Sequence, residues 1–186
     1  MQGRECIFWK EVTQMAYREI VEIGNDVLRK HCKKQEKFDH RLRILLKDMA
    51  DTMYEADGVG LAAPQVGILR RVVVMDVGDD NGLIEMVNPE ITYRSEETQT
   101  GREGCLSLPG RQAVVTRPMT VTVKFQDRNG EEQELTGSGL LARCICHELA
   151  HLDGELYIDV MDRELTKEEM ESRIPEDPPE EAEGEE

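Results

Sequence analysis

Leu140-Leu141-Ala142-Arg143-Cys144-Ile145-Cys146-His147-Glu148-Leu149-Ala150-His151-Leu152 is the stretch on which the fold turns. Leu141, Cys144, Ile145, Leu149 and Leu152 make it strongly apolar, which predicts a helix from about Gly139 to Leu152 that is buried rather than laid on the surface. Ser138 offers a cap before it and Gly154 a stop after it. The same helix carries His147 and His151. Residues four apart on a helix sit about 40° apart in angle and about 5–6 Å apart between Cβ atoms. Two imidazoles can therefore grip one metal ion from one face. Glu148 is turned about 80° from their mean direction, so it flanks such an ion and can reach a water as general base. Five-residue matches arise by chance, but a buried histidine pair without a ligand is costly.

Outward from this helix, strand signals outnumber helix signals. A first helix is predicted from about Asp39, a good N-cap, to Ala56, with Leu42, Leu45, Leu46, Met49 and Met53 on one face and Gly58 as its stop. The small residues from Gly58 to Gly67 predict a loop that allows close backbone approach. Arg71 to Val77 is β-branched and apolar, a well-buried strand. Ile84 to Val87 and Ile91 to Tyr93 flank a bend or bulge at Asn88-Pro89. Met119 to Phe125 alternates in hydrophobicity. Asp127-Arg128-Asn129-Gly130 is a turn signal, and Glu131 to Leu135 returns as the hairpin partner. Thr166 with Glu169 forms a capping box for a short third helix ending before Pro175. The fold class read from this order is α+β: mostly antiparallel sheets packed around a central buried helix that carries His-Glu-x-x-His.

The chain has 186 residues, enough for one domain with a sizeable core. It carries 23 Lys and Arg against 39 Asp and Glu, for a net charge of −16. That balance excludes nucleic-acid binding without a local basic patch, and scarce aromatics argue against a base-stacking platform. From Arg163 onward there are eleven acids and three bases, half of the net charge. The proline- and acid-rich end, 175–186, is expected to be a disordered, solubilising tail. No apolar stretch approaches the ~18 residues of a membrane span. The five cysteines are odd in number and unpaired in spacing, which fits reduced thiols and a cytoplasmic location.

Two histidines leave a catalytic metal site one protein ligand short. Cys105 is the candidate third. It lies in Glu103-Gly104-Cys105-Leu106-Ser107-Leu108-Pro109, bounded by Gly101 and Pro109 rather than held in an apolar helix. One thiolate with two neutral imidazoles makes a softer site than nitrogens alone.

Taken together, three segments resemble peptide deformylase. Gly58-Val59-Gly60-Leu61-Ala62-Ala63-Pro64-Gln65 is similar to the family's first motif, Gly-x-Gly-Leu-Ala-Ala-x-Gln. Glu103 to Pro109 is similar to its second, and His147 to His151 to its third. Order and spacing agree, and Val27-Leu28-Arg29-Lys30 resembles the family's start. The resemblance spans roughly Glu19 to Val160. On that basis 1–14 is expected to be an N-terminal extension, 15–165 the catalytic domain, 166–174 a short C-terminal helix and 175–186 the acidic tail.

The resemblance implies hydrolysis of the N-formyl group from the initiator methionine of new proteins, releasing formate. It implies Cys105, His147 and His151 as ligands of one divalent ion, with Fe2+ as the native metal and Zn2+, Ni2+ or Co2+ also accepted. Glu148 would take the proton of a metal-bound water and pass it to the departing amine. The Gln65 amide and the Leu106 backbone N–H would stabilise the oxyanion. Val59, Cys144, His147 and the stem of Arg143 would line the methionine pocket, while the Gly60 and Gly104 backbones pair with the extended peptide. Glu103 would hold one imidazole from behind. The partner implied is the nascent formyl-Met chain, near the ribosome only transiently because the tail is acidic, with no direct nucleic-acid or membrane contact.

Three features depart from the family pattern. Ala150 stands where an Asp usually precedes the second His. Arg117, that Asp's usual partner, must therefore find another or face solvent. Cys146 replaces the usual Gln and puts a second thiol near the site, and the tail is acidic where some members carry a basic helix. Two other readings of the histidine motif stay open at this point, a zinc endopeptidase and a structural metal site. Glu148 discriminates against the latter, which has no use for a carboxylate beside the ion.

Overall fold

The computed structural model describes residues 17–172; the expected N-terminal extension and acidic tail lie outside them. The element order is α1 (His40–Glu55), β1 (Gly60–Ala62), β2 (Val72–Met75), β3 (Ile84–Arg94), β4 (Thr98–Gly104), β5 (Gln112–Pro118), β6 (Thr120–Gln126), β7 (Glu132–Ser138), α2 (Leu140–Leu152), β8 (Arg163–Glu164) and α3 (Lys167–Glu171). One sheet runs β1-β2-β3-β6-β7 and a smaller one β4-β5-β8, and every pairing between these strands is antiparallel.

The uninterrupted run Val72-Val73-Val74-Met75 explains the layering. Successive side chains leave a strand on opposite faces. Val73 and Met75 join α2 in one core, while Val72 and Val74 join α1 in the other. A strand covered on both faces needs no polar side. α2 is buried almost all round because it has the large sheet on one flank and the small sheet on the other, where Leu108, Ala113, Val115, Leu156 and Tyr157 form a third cluster. The expected architecture of sheets around a central helix is what the chain builds.

Asp39 caps α1, its carboxylate accepting from the N–H groups of Arg41 and Leu42. The stop differs in detail from expectation. Asp57, not Gly58, takes the left-handed position (φ 53°). Gly58 N–H then bonds Met53 O and Asp57 N–H bonds Tyr54 O, which satisfies the last carbonyls of the helix. Asn88 is also left-handed, and the β3–β6 register slips between Val87 and Glu90, so the Asn88-Pro89 bulge is present. The segment read as a loop is more ordered than that. Gly60–Ala62 pairs with β2 and leads into a 3-10 turn at Ala63–Val66. Ser138 does not cap α2; Gly139 holds the N-cap position with φ 58°, and no side chain bonds there. Thr166 and Glu169 do form the capping box of α3, which ends at Glu171 with its cap at Ser172, before Pro175 as expected. β4 and β5 were not foreseen.

Candidate active site

α2 turns His147 toward Glu103 on β4, Glu148 toward Gly60 on β1 and His151 toward Cys105, which directly follows β4. Cys105 Sγ lies 3.2 Å from His151 Nε2. The sulfur and one nitrogen from each ring all lie within 4.8 Å of one another. Tetrahedral binding at about 2.0–2.3 Å separates donor atoms by roughly 3–4 Å, so one sulfur and two nitrogens here fit a single ion such as Zn2+ or Fe2+. Burial holds the His151 imidazole well below its ordinary pKa, in the neutral form that ligates metals. Burial pulls His147 down as well. Its hydrogen bonds to Cys105 and Glu103 outweigh that and hold the metal-free ring up to about 10. A bound ion competes for that proton.

Glu103 stands behind His147, its Oε2 3.0 Å from His147 Nδ1. That bond leaves Nε2 of the ring for the metal. Arg117 grips the same carboxylate through Nε at 2.9 Å and Nη2 at 3.0 Å. Arg117 thus finds the other partner that Ala150 obliges it to find. Burial would raise the Glu103 carboxyl, but hydrogen bonds from His147 and Arg117 prevail and hold it down at about 2. Tyr157 stacks on His147 with ring centroids 5.8 Å apart.

Glu148 is 4 % exposed, and its Oε2 has no hydrogen-bond partner among the described residues. Burial pushes this carboxyl up to about 7, with His147 opposing and Glu103 adding to the rise. A carboxyl poised near neutrality is suited to taking and returning a proton. Gly60 makes room for it, because a Cβ there would fall 2.8 Å from Glu148 Cδ and 2.9 Å from Cys144 Sγ. Gln65 is fully enclosed. Its Oε1 accepts from Ala62 N–H at 2.8 Å, which turns Nε2 toward Ser107 Oγ (3.2 Å) and Cys105 Sγ (3.4 Å).

These groups open onto a cleft of about 670 Å³. Val59, Gly60, Gln65, Glu103, Gly104, Cys105, Leu106, Arg143, Cys144, His147 and Glu148 all line it, so nearly every residue singled out from sequence meets there; His151 lies beneath, 1 % exposed. Cys144 Sγ contacts Val59 O at 3.5 Å. The Leu106 side chain packs with the α1 core. Cys146 is not in the cleft; with Arg117 and Ala150 it lines a separate hollow. Sequence reasoning missed Ser107, although it lies inside the second motif, and also Tyr157. It missed Leu140, at the start of α2, and Met170, on the short α3, at the cleft wall, where a lone apolar residue gives no distinguishing signal.

Residues 17–167 match the family model described as polypeptide deformylase. A peptide deformylase of Caldicellulosiruptor bescii is 54% identical over 159 residues, covering 86% of this chain and 94% of that one. The crystal structure of peptide deformylase from Thermotoga maritima superposes with a TM-score of 0.77 at 44% identity, covering 79% of this chain and 99% of that one. The Met-Ala-Ser-bound class I type b peptide deformylase of Acinetobacter baumannii gives 0.75 at 33% identity, covering 79% and 99%.

Proposed function

The chain belongs to the polypeptide deformylase family, and from that premise we propose how its residues divide the work. It is a metal-dependent hydrolase that removes the formyl group from the N-terminal formylmethionine of newly made proteins and releases formate. Cys105, His147 and His151 would hold the ion, and Fe2+ is the proposed native metal, with Zn2+, Ni2+ and Co2+ compatible with the same donors. When bound, the ion supplies Lewis acidity toward water and the formyl oxygen.

The remaining chemistry belongs to side chains. Glu148 takes the proton from the attacking water and returns it to the amine nitrogen as the C–N bond breaks, one carboxylate serving both steps. The observation that carries this reading is the sealed Glu148 carboxyl with one oxygen unpartnered, raised to about 7 at the floor of the cleft. The amide of Gln65, its oxygen anchored on Ala62, donates from Nε2 to the oxyanion, joined by the Leu106 backbone N–H. Val59, Cys144, His147 and the Arg143 stem wall the methionine side chain, and the Gly60 and Gly104 backbones pair with the extended peptide. The Met-Ala-Ser-bound structure of the Acinetobacter baumannii relative supports a short peptide as the occupant of this cleft. Glu103 orients His147. On this reading residues 15–165 are the catalytic domain, followed by the short helix α3 and the acid-rich sequence 175–186. Nascent chains place the enzyme in the cytoplasm near the ribosome, where the tail's charge disfavours direct contact with RNA.

Formate release from formyl-Met-Ala-Ser tests the assignment of Glu148. Glu148→Ala is expected to lose about 10²–10⁴ in kcat with metal content retained. Activity within a fewfold of the unaltered enzyme, or cleavage of internal peptide bonds by it, would overturn the reading.

A further inference from the structure

We propose that Arg143 is a positioning residue of the metal centre, locking the strand pair that delivers Cys105 onto the helix that delivers the two histidines. This rests on Cys105, His147 and His151 being the ligands. Those ligands come from two separate bodies. The histidines ride on α2, which is built into the core of the large sheet, whereas Cys105 follows the last residue of β4 in the small sheet. Something must fix one body against the other to within a fraction of an ångström if three donors are to close on one ion.

Arg143 stands one helical turn before His147 and is 7 % exposed. Its Nη1 donates to Glu103 Oε1 at 2.9 Å and to the carbonyl of Val115, on β5, at 2.9 Å. Its Nη2 donates to the carbonyl of Gln99, on β4, at 3.1 Å. A single guanidinium from α2 therefore holds both strands of the hairpin and the carboxylate two residues before Cys105. β4 is shaped to receive it. A Cβ on Gly101 would lie 3.2 Å from Nη2, tighter than ordinary contact, so glycine is what lets the guanidinium lie across the strand.

The charge count points the same way. Arg117 already pairs with Glu103 through two bonds. One buried carboxylate needs one cation, and enclosing a second guanidinium costs desolvation that the pairing alone does not require. The main-chain bonds of Arg143 to Gln99, Gly101 and Val115, with its link to Glu103, give it a bracing role instead. The arginine also sits in the cleft wall, yet its charge is spent on the hairpin, which leaves only its stem to face the methionine side chain.

Arg143→Met keeps the stem and removes the brace, while Arg117 still neutralises Glu103. Gly101→Ala leaves the charge in place and pushes on it. Each protein is stripped, checked for folding by circular dichroism and thermal melting, and then titrated with Zn2+ against a chelator and with Co2+ by visible absorption. Arg143→Met is expected to bind Zn2+ about 10–100-fold more weakly and to show altered thiolate–Co2+ and ligand-field bands. Gly101→Ala should shift both readouts in the same direction by less. Folded variants with Zn2+ affinity within about threefold of the unaltered chain and an identical Co2+ spectrum would overturn the proposal, since a residue that only lines or stabilises moves neither. If Arg143→Met does not fold, Gly101→Ala decides on the same criteria. Cys105→Ser separates the underlying reading. Should the unaltered chain lack a thiolate–Co2+ band that this variant abolishes, the ligand assignment itself fails, and the proposal with it.

Discussion

Gly60→Ala separates the geometry of the proposed general base, Glu148, from the stability of the fold. The added methyl would sit 2.8 Å from Glu148 Cδ and 2.9 Å from Cys144 Sγ, with Glu148 Oε1 closer still. Ordinary carbon–carbon contact is about 3.5–4.0 Å, so the carboxyl must retreat by about 1 Å. The retreat costs the fold little, because the displaced groups, the Glu148 carboxyl and the Cys144 thiol, are side-chain ends rather than backbone. It is expensive for catalysis, because a misplacement of about 1 Å costs about 10²-fold, equivalent to about 2.7 kcal/mol on the barrier. The expected result is a kcat for formate release from formyl-Met-Ala-Ser lowered by about 10², with metal stoichiometry unchanged and Tm shifted by only about 2–4 °C. Activity within about threefold of the unaltered enzyme would refute the placement of Glu148 against Gly60 as a catalytic requirement. A collapse of Tm with no change in activity per folded molecule would refute it equally.

Two further predictions concern stability. Glu103 has its folded pKa held at about 2, below its ordinary 4.5, so its contribution is fully present above about pH 4.5 and is lost as pH falls toward 2. Linkage makes that contribution about 3 kcal/mol. The resistance of the metal-free chain to urea should fall steeply between about pH 4.5 and 2, and the difference from Glu103→Gln should shrink over the same window; parallel pH profiles would contradict it. Gly154 has φ 76°, and a Cβ there would fall 2.7 Å from the backbone carbonyl of Arg29, which cannot yield as a side-chain end can. Gly154→Ala should lose about 2–3 kcal/mol, a fall in Tm of roughly 5–10 °C by calorimetry. A shift of about a degree or less would show that the backbone gives way there.

The parts of the fold legible in the sequence were those with a single strong local signal. Asp39 announced α1, Asn88-Pro89 the bulge, and Asp127 to Gly130 the β6–β7 turn. β4 stayed hidden because Thr98–Gly104 buries only Glu103, so the strand shows no apolar alternation. β5 does alternate, with Ala113 and Val115 inward, but Thr116, Arg117 and Pro118 end the apolar pattern after four residues. Gly60–Ala62 has poor strand propensity and becomes a strand only because β2 and the two helices enclose it. The candidate site was legible because the proposed chemistry needs particular residue types at particular spacings: two histidines a turn apart, a glutamate between them, and a cysteine between Gly104 and Leu106 outside any apolar helix. What no spacing discloses is where a long side chain sends its head. The Arg143 guanidinium crosses to a strand pair more than twenty residues upstream, and Tyr157 folds back on His147. Both depend on tertiary proximity that only the assembled sheets create.

X-ray absorption at the metal edge of the Zn2+-loaded chain tests the central claim most directly. The account predicts one sulfur at about 2.3 Å and two imidazole nitrogens at about 2.0–2.1 Å, with the sulfur shell absent from Cys105→Ser. A first shell of nitrogen and oxygen alone in the unaltered chain would contradict it.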